Sequence, residues 1–141
     1  MSVSEPARSM YERDATAPAF GIELLAADSD RATTRMQVRA EMCNGLAVIH
    51  GGMTFLLADS AMAFASNSDG EAAFATSAEI DWLAPATAGQ WLTATAQRRH
   101  GGGRSAVWDV TVEASDTIDG DRTPIALFRG RTRKINRKII A

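Results

Sequence analysis

Asp59 is the ionisable group in an otherwise nearly apolar run. The stretch NGLAVIHGGMTFLLADSAMAFA covers residues 44–65, and Asp59 lies nine residues after His50. If the run is helical, Asp59 meets the side chains three and four positions away: Phe55, Leu56, Met62 and Ala63. None of them neutralises a carboxylate or donates to one. Burying an unpaired carboxylate costs several kcal/mol even after relaxation, comparable with the whole stability margin of a small domain. The charge must find water, a cation from elsewhere, backbone amides or a ligand. One resolution is a buried structural aspartate capped by amides. The other is a catalytic carboxylate at a cleft, where such placement displaces a pKa.

His50-Gly51-Gly52 directly precedes the run. A helix N-terminus presents unpaired amide donors and a partial positive charge, and two glycines let a ligand come close to that backbone. Such donors suit the oxyanion formed when a carbonyl is attacked. Alone, the glycines could equally be a tight turn; with Asp59 downstream the pattern is more specific. Asn44, in the same loop, could hold His50 or a water, or serve only as a turn residue. Cys43 has few possible base partners among two histidines. His50 and His100 match no recognised ligand spacing, so no metal is expected.

These residues need elements to position them. The first 15 or so residues are polar and suit a loose helix capped by Ser4 or Ser9. Residues 20–40 read as two short strands around a turn at Asp28-Ser29-Asp30, with Ala32, Thr34, Met36 and Val38 on one face. Residues 44–52 form a loop, and a helix follows from about Met53 to Ser66, with Gly70 as its stop. Ala78, Ile80 and Trp82 alternate in the next strand. Pro85 and Gly89 bound a turn. Leu92, Ala94 and Ala96 then share a face, HGGGR at 100–104 is a glycine-rich hairpin connection, and Ala106, Trp108, Val110 and Val112 alternate again. Asp119-Gly120 is a turn, and a last strand covers about 125–134. The expected order is strands, one apolar helix, then a four-strand meander with tight connections. An α+β fold follows, with a mostly antiparallel sheet around one buried helix.

With 141 residues and 45% hydrophobic content, the chain fits one globular domain. We expect a polar segment over 1–18, the domain over 19–136 and a tail over 137–141. A formal charge of -2 excludes a strong field toward nucleic acid or an acidic membrane, and RGRTRKINRK reads as a solvated strand edge and tail. A single cysteine permits no internal disulfide, so a cytoplasmic setting is expected. The opening residues lack the apolar segment of a secretory signal, and no run is long enough to span a bilayer.

The segment NGLAVIHGGMTFLLADSAMAFASNSDG, together with IDWLAPATAGQWLTATA and ALFRGRT, resembles the PaaI-type hot-dog thioesterases of phenylacetate degradation. The likeness covers roughly residues 20–135. It implies the hot-dog fold and hydrolysis of an acyl-CoA thioester, with no cofactor beyond the coenzyme A carried by the substrate. It implies that Asp59 is the catalytic carboxylate, as nucleophile or as general base on water. The Gly51 amide would polarise the thioester carbonyl, Gly52 lies beside it, and His50 and Asn44 form a supporting pair. Related thioesterases carry a glutamate and a threonine one turn later; Asp59 with Ala63 is the phenylacetate-type pattern. The resemblance also implies a homodimer with shared sites, often paired into a homotetramer. The family binds the coenzyme A nucleotide near a loop between later strands, which makes Arg104 and Ser105 candidates, with Arg98 and Arg99. That GGGRS stretch could also be a flexible hairpin with solvated arginines. The acyl group, aryl-acetyl or medium-chain, would lie along Phe55, Met62 and Trp82. A hot-dog hydratase or dehydratase, and a non-catalytic acyl-CoA binding module, are the rival readings. Neither nucleic acid nor a membrane is an expected partner.

Overall fold

The computed structural model describes residues 2–139. Two short helices come first, α1 (Glu5–Arg13) and α2 (Thr16–Phe20), then the hairpin β1 (Glu23–Ala27) and β2 (Arg31–Gln37). The long helix α3 (Gly51–Ser66) follows, then β3 (Glu71–Trp82), β4 (Trp91–Gly102), β5 (Ser105–Ser115) and β6 (Thr123–Lys138). The named strands pair antiparallel throughout, in the order β1-β2-β4-β5-β6-β3, and Val3 adds an isolated parallel bridge to Ala27 of β1.

Side-chain alternation decides which face of this sheet carries α3. Ala32, Thr34 and Met36 of β2, Leu92, Ala94 and Ala96 of β4, and Trp108, Val110 and Val112 of β5 are all buried, as the period of two requires when one face meets a core. The helix packs on all six strands. It therefore has no wholly solvated side, which explains its nearly continuous apolar sequence. Two polar contacts seat it: Thr34 Oγ1 donates to the Leu57 carbonyl, 3.2 Å away, and the Asn67 side-chain amide bridges the Ala63 and Ala73 carbonyls at 2.8 and 3.1 Å. The Asn67 oxygen in turn accepts from the Ala73 amide at 2.8 Å. This Asn67 clasp turns the chain from α3 back along β3.

Three expectations need correction. The helix begins at Gly51, two residues before Met53, so both glycines belong to its first turn. The expected N-terminal helix is present: α1, capped by Ser4 whose Oγ accepts from the Ala7 amide at 3.2 Å, lies against the far end of α3 through Tyr11 and Phe64. The four-strand meander is only three strands long. β4, β5 and β6 follow one another, but β3 pairs with β6 at the sheet edge and β4 pairs with β2. The segment after Trp82 is no hairpin. It runs across the end of the sheet, with Leu83 N donating to the Ile125 carbonyl at 2.7 Å, Ile49 N donating to the Ala86 carbonyl and Val38 N to the Gln90 carbonyl, both at 2.8 Å. Proline and glycine there break the strand without making its two sides neighbours.

Candidate active site

The head of α3 is open. His50 is the N-cap, with φ -61° and ψ 135°, and its side chain makes no capping bond. Its own amide donates to the Met42 carbonyl and its carbonyl accepts from Met53 N, both at 2.9 Å. Among the described residues, no acceptor reaches the amides of Gly51 and Gly52. Two aligned donors at the positive end of a sixteen-residue helix can hold a developing oxyanion. The His50 side chain is exposed.

In front of these donors is an open cleft of about 400 Å3, walled by Ile49, Thr54, Trp82, Leu83 and Pro85. Thr54 is 1% exposed, and its buried hydroxyl has no hydrogen-bond partner among the described residues. Sequence reasoning missed Thr54, because threonine one turn into a helix usually signifies nothing more than packing. Trp82 was read only as a strand residue and a possible wall for the acyl group. Its indole in fact lies on Gly51, with Nε1 donating to the Gly51 carbonyl at 3.2 Å.

Asp59 is half-buried in the middle of α3. Burial raises its carboxyl above the ordinary carboxylate value, and among the described residues no hydrogen bond or opposite charge offsets that effect. The hydroxyl of neighbouring Ser60 is turned to the Leu56 carbonyl, 2.8 Å away. Asp59 and Gly51 are eight residues apart, about 12 Å along a helix axis. One carbonyl group therefore cannot touch both on a single chain.

The remaining candidates separate. Asn44 Oδ1 accepts from Leu46 N at 2.9 Å and Val48 N at 3.4 Å, shaping its own loop, and no hydrogen bond joins Asn44 to His50 among the described residues. Arg104 and Ser105 share a small cavity with Arg98, Asp69 and Lys134. Arg104 is held there by Asn136 Oδ1 at 2.7 Å and the Lys134 carbonyl at 3.0 Å. Arg99 does not line that cavity. It pairs with Asp109, at 3.1 Å, which also binds Arg129 at 2.6 and 2.8 Å. Arg98 and Arg99 part company where the β4–β5 register shifts, Arg98 lining the cavity and Arg99 turning to Asp109. The Arg129 guanidinium holds the Asp109 carboxyl below its usual value. Cys43 Sγ is 3.7 Å from the Arg39 carbonyl.

Residues 46–120, from the loop before α3 to the turn after β5, match the thioesterase superfamily. The chain belongs to that family, has its hot-dog fold and is a thioesterase. Among individual relatives, it is 44% identical to the acyl-coenzyme A thioesterase PaaI of Escherichia coli over 129 residues, which are 92% of this chain and 89% of that one. The structure of the E. coli PaaI protein from the phenylacetic acid degradation operon superimposes with a TM-score of 0.89 at 41% identity, covering 99% of this chain and 100% of that one. A putative esterase of Archaeoglobus fulgidus is 32% identical over 127 residues, 90% of this chain and 79% of the other.

Proposed function

We propose that the chain hydrolyses acyl-coenzyme A thioesters with an aryl-acetyl or medium-length acyl group, at sites each built from two copies. The observation that carries this reading is Asp59: a half-buried carboxylate, raised by burial and offset by no partner, in a helix whose head presents two free amides. The 12 Å or so between those groups, set by the helical rise, is bridged if Asp59 of the partner subunit faces the Gly51 amide. The thioester carbonyl oxygen then accepts from Gly51, with Gly52 beside it. Asp59 takes a proton from water as the water oxygen adds to the carbonyl carbon, or attacks that carbon itself. In either case the carbonyl electron pair moves to the amide-held oxygen, then returns as the C–S bond breaks. Coenzyme A leaves as a thiolate that takes up the proton given up by water. On the route in which Asp59 attacks, the acyl group first stays on Asp59 as a mixed anhydride, which water then hydrolyses to the free acid and the carboxylate, releasing that proton.

The sheet edge supports the pairing. β3 is twelve residues long, has no neighbour on its outer side, and is exposed from Phe74 to Glu79. An unpaired edge of that length is a template for a second strand. Two such dimers form a tetramer in this reading. Arg104 and Ser105 sit where a basic, amide-rich hairpin suits a nucleotide phosphate; Arg99, on the other face, would reach only a phosphate that passes over the hairpin. No cofactor is required, because coenzyme A arrives with the substrate. A lone cysteine and this substrate suit the cytoplasm.

Thiol release from phenylacetyl-, benzoyl- and fatty acyl-coenzyme A, measured for the wild type and Asp59→Asn, tests the reading. Hydrolysis of the phenylacetyl or a medium-chain ester, lost in Asp59→Asn, is expected. A variant as fast as the wild type removes Asp59 from the chemistry.

A further inference from the structure

The geometry points to Trp82 as the residue that positions the first turn of α3 through Gly51 and polarises the Gly52 amide. The inference rests on the reading of Gly51 and Gly52 as donors to the thioester oxygen, and adds a residue to it.

Three observations converge. The first is the indole N–H, 3.2 Å from the Gly51 carbonyl oxygen. That oxygen and the Gly52 N–H belong to one conjugated peptide unit. A donor on the oxygen draws density from the nitrogen, so the Gly52 N–H becomes a stronger donor outward. The unit before it is treated the same way: the His50 carbonyl accepts from Met53 N at 2.9 Å, and its partner atom is the Gly51 N–H. Both free amides thus sit on peptide units whose carbonyls are already bonded.

The second observation is steric. A Cβ built on Gly51 would lie 2.9 Å from Trp82 Cε2 and 3.0 Å from Cζ2 and Nε1, whereas a Cβ on Gly52 would meet nothing within 4 Å. The demand for glycine at 51 therefore comes from the indole seated on its Cα. The third is exposure. Trp82 is 55% exposed, so burial of the ring in the core does not explain its place. It is the last residue of β3, opposite Ala126, and faces the side of the sheet that carries α3. The strand end thereby pins the first turn of the helix from outside.

Trp82→Phe keeps a ring and removes the donor. The expected result is a fall in kcat of about three- to ten-fold, the size of one hydrogen bond's net contribution, larger than any change in KM, with the variant still fully folded at the assay temperature. Trp82→His, which returns a ring N–H, should recover part of that loss. A double-mutant cycle supplies the second test. Gly51→Ala should lower kcat strongly beside Trp82 and much less in a Trp82→Leu background, because the clash is gone; Gly52→Ala should cost the same in both. A Trp82→Phe enzyme with unchanged kcat, a loss confined to KM, or an additive Gly51–Trp82 cycle would each overturn the proposal. Asp59→Asn assayed alongside separates the two levels. If it is inactive while Trp82→Phe is normal, only the role of Trp82 falls; if it is fully active, the reading of the site falls first.

Discussion

A carboxyl raised by burial behaves oppositely to the more familiar salt-bridged kind. Asp59 binds its proton more tightly in the folded chain than in the unfolded one. Below the ordinary carboxylate range both states are protonated and the group costs nothing. As pH rises from the ordinary value through the displaced one, the unfolded state ionises first, so stability falls across that window, and the full cost then persists unchanged up to pH 7. Asp59→Asn removes that cost while keeping the size. Calorimetry should find the variant with the higher melting temperature at pH 7, the gap closing as pH falls into the carboxylate range. Thiol release should meanwhile drop by about 10²- to 10⁴-fold, the worth of a positioned base. The wild-type rate should fall on the acid side with a midpoint above the usual aspartate value. An Asp59→Asn protein that is less stable at neutral pH would mean the carboxylate is satisfied by something other than water or substrate. At this scale the placement of the groups was legible in part: the cost of Asp59 followed from its helical neighbours alone, and the glycines were legible as residues at the head of the helix, although they belong to its first turn. Thr54 and Trp82 were not, because an orphaned hydroxyl and an indole on a backbone exist only once the chain is folded.

Elements follow the sequence where one face meets a core and depart from it where pairing is non-local. The alternation in β2, β4 and β5 assigned inward and outward residues correctly, since the pleat has a period of two. It could not say that β3 passes over to β6, because alternation chooses a face and not a neighbour. Close packing of α3 against β6 yields a sharp expectation. Gly130 lies under Met62 and Phe128, and both leave no room for a Cβ there. Met62 is 1% exposed and has nowhere to retreat. Gly130→Ala should therefore destabilise the protein by about 1–3 kcal/mol, as overpacking does, read by chemical denaturation. At the other end of α3, Ser4 Oγ caps α1 and donates to Ser68 Oγ, 2.9 Å away. Ser4→Ala should cost on the order of 1 kcal/mol, with thiol release unchanged because the site lies at the opposite end of the helix.

For the whole molecule, the decisive question is whether one chain or two make a site. If the proposed two-chain site holds, Asp59→Asn and Gly51→Ala proteins should each be nearly inactive. Co-refolded in equal amounts, half of the dimers are mixed, and in a two-fold dimer each mixed pair regains one native site. About a quarter of wild-type activity should return under that symmetry, whereas sites contained in one chain would recover nothing. The sequence by itself determined the buried helix, the glycines at its head, the charge within it and the faces that β2, β4 and β5 turn inward. These are local: they depend on spacing along one element and on what that spacing buries. Only the tertiary structure decided that β3 closes the sheet against β6, that Trp82 thereby reaches Gly51, and that Arg99 and Arg104 part to different faces. Contacts between residues tens of positions apart depend on how strands are ordered and registered, and hydrophobic periodicity carries no information about that order.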